Sequence, residues 1–242
     1  MSTFTLDRTV AELVLEKPSR SRFFETMGID YCCGGKKTLQ EVCERKQLDP
    51  ANLLKLLEAD DLIVLDEATE RISEMSLGEL VVNIIERHHE YLRQELPRLQ
   101  AMLSKVVRVH GESEPRLHQM LSIFQAFAVE LGTHMMKEEN ILFPVISQME
   151  AVRRIPQSCF GTIANPIRQM EFEHDGAGDA LARLRDLSDG FRPPEWACNT
   201  YRAVLDGLHD IEQNMHVHVH KENNVLFPKA LELEEELLAV AP

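Results

Sequence analysis

The chain has 242 residues, with 40 acidic and 26 basic side chains for a net charge of −14, long enough for one large domain or a medium one with a small companion. That charge argues against nucleic acid and anionic membrane surfaces as partners, because phosphate contacts need the opposite sign. No apolar run approaches the roughly 18 residues that span a bilayer, the N-terminus lacks a secretory pattern, and five cysteines, two of them adjacent, do not suggest a disulfide framework; a soluble, cytoplasmic, reduced protein is expected.

Strand-like alternation is nearly absent and apolar residues recur with a period near 3.6, which predicts an all-α protein. Residues 1–60 read as a small helical domain, with helices near 7–16 and 19–27 separated by Pro18, the second ending at Gly28. The tight segment Asp30-Tyr-Cys-Cys-Gly-Gly35 leads into a helix near 38–46. Asp49-Pro50 is a good N-cap with proline at the first helical position, and opens another helix to about residue 59. The acidic stretch 61–75 reads as a linker. Residues 76–242 then hold four long amphipathic helices, near 76–109, 115–149, 161–187 and 195–236. Breaks fall at His110-Gly111, Arg153 to Pro156, and Asp189-Gly190 through Pro193-Pro194. Four such helices with short connections predict an antiparallel four-helix bundle.

The bundle region repeats itself. His89 is followed 45 residues later by His134 and then Glu138; His174 is followed 44 residues later by His218 and then Glu222. The surrounding text repeats too: His134-Met-Met-Lys-Glu-Glu-Asn-Ile-Leu-Phe-Pro144 against His218-Val-His-Lys-Glu-Asn-Asn-Val-Leu-Phe-Pro228. The apolar seam of each helix selects the inward residues. It runs Val81, Ile85, His89, Leu92 on the first, leaving His88 on a wetter face, and Leu131, His134, Glu138, Ile141, Val145 on the second. On the third it runs Met170, His174, Ala177, Leu181, and on the fourth Met215, His218, Glu222, Val225, choosing His218 over His216 and His220. Each His-x-x-x-Glu pair stacks on one helix face and can reach a single centre.

Four imidazoles and two carboxylates at matching depth describe a two-metal site, since carboxylates in an apolar core are costly without a cation to offset them. Imidazole with carboxylate suits iron, manganese or zinc better than calcium or magnesium. If each metal takes two histidines and both glutamates bridge, an oxo or hydroxo bridge completes five ligands and leaves about one octahedral position open. Such a vacancy fits redox-active iron meeting O₂ or NO. Ferritin-like bundles use Glu-x-x-His instead, and the reversed order here argues against that class. Glu130, one turn before His134, and Glu173, directly before His174, could orient a ligand, relay protons or hold metal in passing; equally, they could be solvated helix-face charges. His110, His118 and His209 read as surface residues, and Cys43, Cys159 and Cys198 as packing thiols.

The Leu-Phe-Pro motifs trailing His-x-x-x-Glu, with lone histidines on the other two helices, resemble the hemerythrin-like fold. Asp30-Tyr-Cys-Cys-Gly-Gly-Lys36 followed by Thr-Leu narrows the resemblance to the di-iron iron-sulfur cluster repair proteins, the repair-of-iron-centres family, over essentially the whole chain. The resemblance implies an oxo-bridged, non-haem di-iron centre held by His89, His134, Glu138, His174, His218 and Glu222. It also implies a stress-response role in restoring iron-sulfur clusters damaged by nitric oxide or peroxide, by giving up iron. Nitric oxide reduction has been proposed for the same family. Oxygen-carrying hemerythrins are similar but use an additional histidine, for which this sequence offers no obvious inward candidate.

Cys32 and Cys33 sit in a Gly-Gly turn that can present thiols, and vicinal cysteines close a strained, exchangeable ring when oxidised. Electron delivery to the metals and transient capture of iron are the two roles this suggests. Three functions therefore stand together: an iron-donating repair factor, the favoured reading; an enzyme joining two NO molecules into N₂O, with Glu130 or Glu173 supplying protons; and a sensor or store for O₂ or NO. Damaged iron-sulfur proteins as clients, NO or O₂ as small ligands and an electron donor are the partners implied. A homodimer is left open.

Overall fold

The computed structural model describes residues 4–61, 72–157 and 160–239. The described residues are overwhelmingly helical, and an isolated bridge pairs Thr9 with Thr38. Two compact units divide the chain: Met1–Ser76 with Val219–Pro228, and Leu77–His218 with Lys229–Pro242. Most of the expected linker, residues 62–71, lies outside the described residues, and a 3-10 turn at Ile72–Glu74 follows it.

The first unit holds α1 (Val10–Glu16), α2 (Arg20–Thr26), α3 (Leu39–Lys46) and α4 (Pro50–Asp61). Both α1 and α3 start at complete capping boxes, Thr9 with Glu12 and Thr38 with Glu41, which satisfy amide donors that a helix start leaves over. The two starts also exchange backbone bonds: Val10 N–H donates to Lys37 O (3.0 Å) and Leu39 N–H to Arg8 O (2.9 Å). This crossing pins the C-terminal end of the segment that carries the paired cysteines. Gly35 is needed there, because a Cβ would sit 2.4 Å from Tyr31 O and 2.9 Å from the Ala11 side chain. Val10, Leu13, Phe24, Tyr31, Leu39, Leu53 and Leu57 form the core of this unit.

The four long helices are α5, α6, α7 and α8. α5 consists of Leu77–Ile84, a π turn at Ile85–His89, and Glu90–His110. α6 consists of Arg116–Lys137, a π turn at Glu138–Leu142, and Phe143–Val152. α7 is regular over Ala164–Leu187. α8 runs Asn199–Lys221, a π turn at Glu222–Leu226, and Phe227–Ala239. Near the end of α6, Glu150 accepts from Leu77 N–H (2.9 Å) and Gly78 N–H (2.8 Å) at the start of α5. Near the end of α8, Glu234 accepts from Ile163 N–H (2.9 Å) and from the Thr162 hydroxyl (2.5 Å) just before α7. Each helix end thus caps the beginning of its predecessor with a carboxylate, where the helix dipole favours negative charge. Both pairs must run antiparallel, and the two carboxylates stand 84 residues apart, in step with the sequence repeat.

The π turns change the expected register. Each inserts one residue, so the inward face steps forward by one position beyond it. On α6, Leu142 and Ile146 are buried while Ile141 is 46% exposed and Val145 half-buried, correcting the seam expected through Ile141 and Val145. On α5 the widened turn brings His88 (5% exposed) inward beside His89 (0%), so His88 does not lie on a wetter face. α7 has no π turn, and Ile167, Met170, His174, Leu181 and Leu184 are all buried as its period predicts.

Candidate metal centre

The π turns fall at the residues carrying the chemistry. His89 closes one, and Glu138 and Glu222 each open one. In the last two, the carbonyl of the glutamate accepts from the N–H five residues on, Phe143 or Phe227, and a proline follows at once. Proline has no N–H to give to an ordinary helical bond, so the wide turn just before it forfeits little. The Leu-Phe-Pro text was therefore a readable signal for these turns.

Two overlapping donor groups result. His89, Glu138, His218 and Glu222 form one, and His134, Glu138, His174 and Glu222 the other; within each, the donor atoms lie within 4.8 Å of one another. The imidazoles pair in the same way, His89 Nε2 standing 3.1 Å from His218 Nε2 and His174 Nε2 3.0 Å from His134 Nε2. Glu138 reaches toward both pairs at once: one oxygen is 3.3 Å from His134 Nε2, the other 3.4 Å from His89 Nε2. Glu138 and Glu222 are both fully buried and belong to both groups, the placement a bridging carboxylate needs. Two carboxylates this close repel each other out of water, and a cation between them reverses the sign of that interaction. The donor set therefore fits two metal ions.

Flanking carboxylates fix the rings. Glu173 accepts from His134 Nδ1 (2.9 Å) and Glu139 from His89 Nδ1 (2.6 Å). With the proton on Nδ1, the Nε2 lone pair of each ring faces the centre, the usual carboxylate–histidine–metal arrangement. Burial raises both carboxyls, but hydrogen bonds from Lys137, Gln169 and His134 bring Glu173 down to about 2. Bonds from His89 and Arg93 likewise hold Glu139 below its ordinary value. Glu173 thus touches a candidate ligand, whereas Glu130 is exposed at the rim of a cleft that reaches the site. Glu139 was missed by sequence reasoning, because the second repeat carries Asn223 in its place and the comparison of repeats hides it.

Three other readings change. His88 is packed flat on His218, ring centroids 5.1 Å apart and 3° from parallel, with Nδ1 3.2 Å from Asn214 Oδ1; it belongs to neither donor group. His220 is also buried, and burial lowers it to about 4, so it is neutral near pH 7. It donates through Nδ1 to Tyr31 O (3.3 Å), while Asn224 donates to Cys32 O (3.0 Å). Cys198 is an exposed thiol 3.4 Å from His110 Nε2, not a packing group; its segment is irregular and carries no helical seam. Cys43 is buried, and Cys159 lies outside the described residues.

The paired cysteines differ from one another. Asp30 accepts from Cys32 N–H (2.9 Å), Gly34 N–H (2.8 Å) and the Cys32 thiol (3.1 Å). Cys32 is buried, and its thiol is pushed well above the ordinary range by a hydrogen bond with Cys33, by burial and by the Asp30 charge. Cys33 is the more accessible thiol.

An all-helical bundle that converges four histidines and two glutamates on one buried point defines a cation-binding bundle protein. Residues 80–230 match the hemerythrin HHE cation binding domain, and residues 6–61 match a domain described as one of unknown function. The chain is 37% identical over 225 residues to the iron-sulfur cluster repair protein YtfE of Pectobacterium atrosepticum, covering 93% of this chain and 97% of that one. It is 39% identical over 228 residues to the protein of the same name from Edwardsiella ictaluri and 35% over 226 residues to that of Escherichia coli O8, with 93% and 97% covered in each case. The chain belongs to the hemerythrin-like family of iron-sulfur cluster repair proteins. No helix among the described residues is long and apolar enough to cross a membrane.

Proposed function

We propose that the protein repairs damaged iron-sulfur clusters by donating iron from a bridged di-iron centre held by His89, His134, Glu138, His174, His218 and Glu222. The observation that carries this reading is the pair of overlapping donor groups sharing Glu138 and Glu222. Iron bound there supplies a redox-controlled, releasable cation. The residues of the chain do the rest. Glu139 and Glu173 orient His89 and His134; Glu138 and Glu222, both fully buried, set the spacing and offset the charge. Two histidines and the two shared carboxylates would hold each ion, a donor set that would leave octahedral coordination incomplete and so let the ion leave. Cys33, accessible beside a Cys32 held protonated, would capture iron in passing or, by closing a disulfide with Cys32, deliver electrons, and Asp30 keeps that loop in shape. Damaged cluster proteins are the clients, and a separate reductant sets the state from which iron leaves.

The test is iron transfer. Reduced, iron-loaded protein is mixed anaerobically with an apo iron-sulfur protein and sulfide, and client cluster and donor iron are followed together. The expected result is client recovery at the expense of donor iron, faster from the reduced than from the oxidised protein. Equal rates from the two states, with no client recovery, would sink the proposal.

A further inference from the structure

The two ends of the centre differ in their surroundings. A cleft of about 410 Å³ lies between α6 and α7, walled by Phe127, Leu131, Phe172 and Gly176. His134 and His174 line it; His89 and His218 do not. Its rim reaches solvent, for Val129 is 70% and Phe172 72% exposed. The Lys137–Glu173 ion pair also lies on its wall, and Glu173 is the carboxylate that holds His134. The other end is packed with rings. His88 lies flat on His218, Phe143 stands 5.9 Å from His89 at 17°, and Glu139, paired with Arg93, covers Nδ1 of His89.

From this asymmetry we infer that the two metal positions are inequivalent: the ion at His134 and His174 exchanges first, through this cleft, while the ion at His89 and His218 is retained. The inference rests on the di-iron reading above and adds the order and route of exchange. The cleft is mostly apolar, has a few polar groups and is of ordinary ligand size. It suits a small acceptor with an apolar body and one or two donor atoms that can reach an ion between the two imidazoles. Exchange needs a donor atom from outside to replace protein ligands one at a time. An ion beside an open cleft meets that requirement without opening the bundle, whereas an ion behind packed rings waits for local unfolding.

α7 provides the means of testing this. A Cβ added at Gly176 meets no atom within 4 Å, and neither does one at Gly178, but only Gly176 lines the cleft. Gly176→Leu narrows the route, and Gly178→Leu controls for added bulk and the higher helix propensity that both changes bring. Each protein is loaded anaerobically with Fe²⁺ and chased with 2,2′-bipyridine. Metal content is followed by absorbance, and crystals of half-depleted protein are examined by anomalous scattering. Wild-type and Gly178→Leu proteins should lose one ion at least about tenfold faster than the second, and Gly176→Leu should slow only the first phase by about as much. The retained ion should lie between His89 and His218. Loss of both ions at one rate, equal behaviour of the two variants, or a retained ion at His134 and His174 would overturn the inference while leaving the di-iron reading intact. Failure to bind two ions at all would overturn that reading, and this inference with it.

Discussion

In the N-terminal unit the buried guanidinium of Arg20 meets Asp61 at 2.8 Å, Glu16 at 2.8 Å and the Leu13 carbonyl at 2.9 Å. Its charge is thus answered within that unit. The bundle instead brings two fully buried carboxylates, Glu138 and Glu222, into a nest of four imidazoles. One arrangement ties a buried charge to protein groups and serves the fold; the other sets two carboxylates among four imidazoles, a donor set that fits metal ions. A buried charge held by one opposite partner set is the mark of a stability device, while converging imidazoles and carboxylates are the mark of a ligand site.

Removing the shared carboxylate should break the contrast most sharply. Glu138→Leu is expected to abolish binding of both ions, read as metal per chain. Without metal the same variant should be as stable as the parent or more so, by about 1–4 kcal/mol in urea unfolding, because a buried charge has been removed. A large loss of metal-free stability would place Glu138 among the fold's own supports. The opposite sign is expected in the other unit. Arg20→Met removes the guanidinium that Asp61 and Glu16 share, leaving them Lys17 and Arg8, and should cost about 1–2 kcal/mol of N-terminal stability with the metal content of the bundle unchanged.

That unit should also be acid-sensitive. Hydrogen bonds from Arg20 lower Asp61 from 3.8 and Glu16 from 4.5. Carboxyls depressed by folding contribute stability above their unfolded values and lose it as pH falls through the folded ones, here across about pH 5 to 2. The stability of metal-free protein should fall as pH is lowered over that range, and Arg20→Met should flatten the trend. Smaller still, Glu139→Gln and Glu173→Gln should each reduce metal affinity about 10- to 100-fold in chelator competition, by loosening a ligand ring without removing it.

The smallest expected effect concerns the π turns. Deleting Ile141, exposed within the turn at Glu138–Leu142, leaves Leu142, Phe143 and Ile146 three, four and seven positions after Glu138, the spacing of a regular buried face. Metal-free stability should then change by less than about 1 kcal/mol while metal affinity falls, as expected of a turn kept for the site. A collapse of the fold on deletion would make the turn structural.

Much of this was legible in residues. Period, breaks and caps gave the helical class and the long helices closely. The repeat of His-x-x-x-Glu singled out the six residues that the fold brings together, because matched spacing on matched helices has few other geometric outcomes. Glu173 could be nominated by its place beside His174, but Glu139 could not, since only the approach of α5 to α6 sets its carboxylate against His89. The seam beyond Glu138 was misplaced by one residue because a period of 3.6 assumes that every turn is an α turn.

Local chemistry is written along the chain: which residues form helices, where they stop, and which side chains share a face. Those depend on neighbours a few positions away. What tertiary structure alone decided is which carboxylate holds which ring, and which end of the centre faces an open cleft. These depend on distances between residues 35 to 130 positions apart, such as His134 with Glu173 or His89 with His218, and no local rule of propensity or spacing contains them.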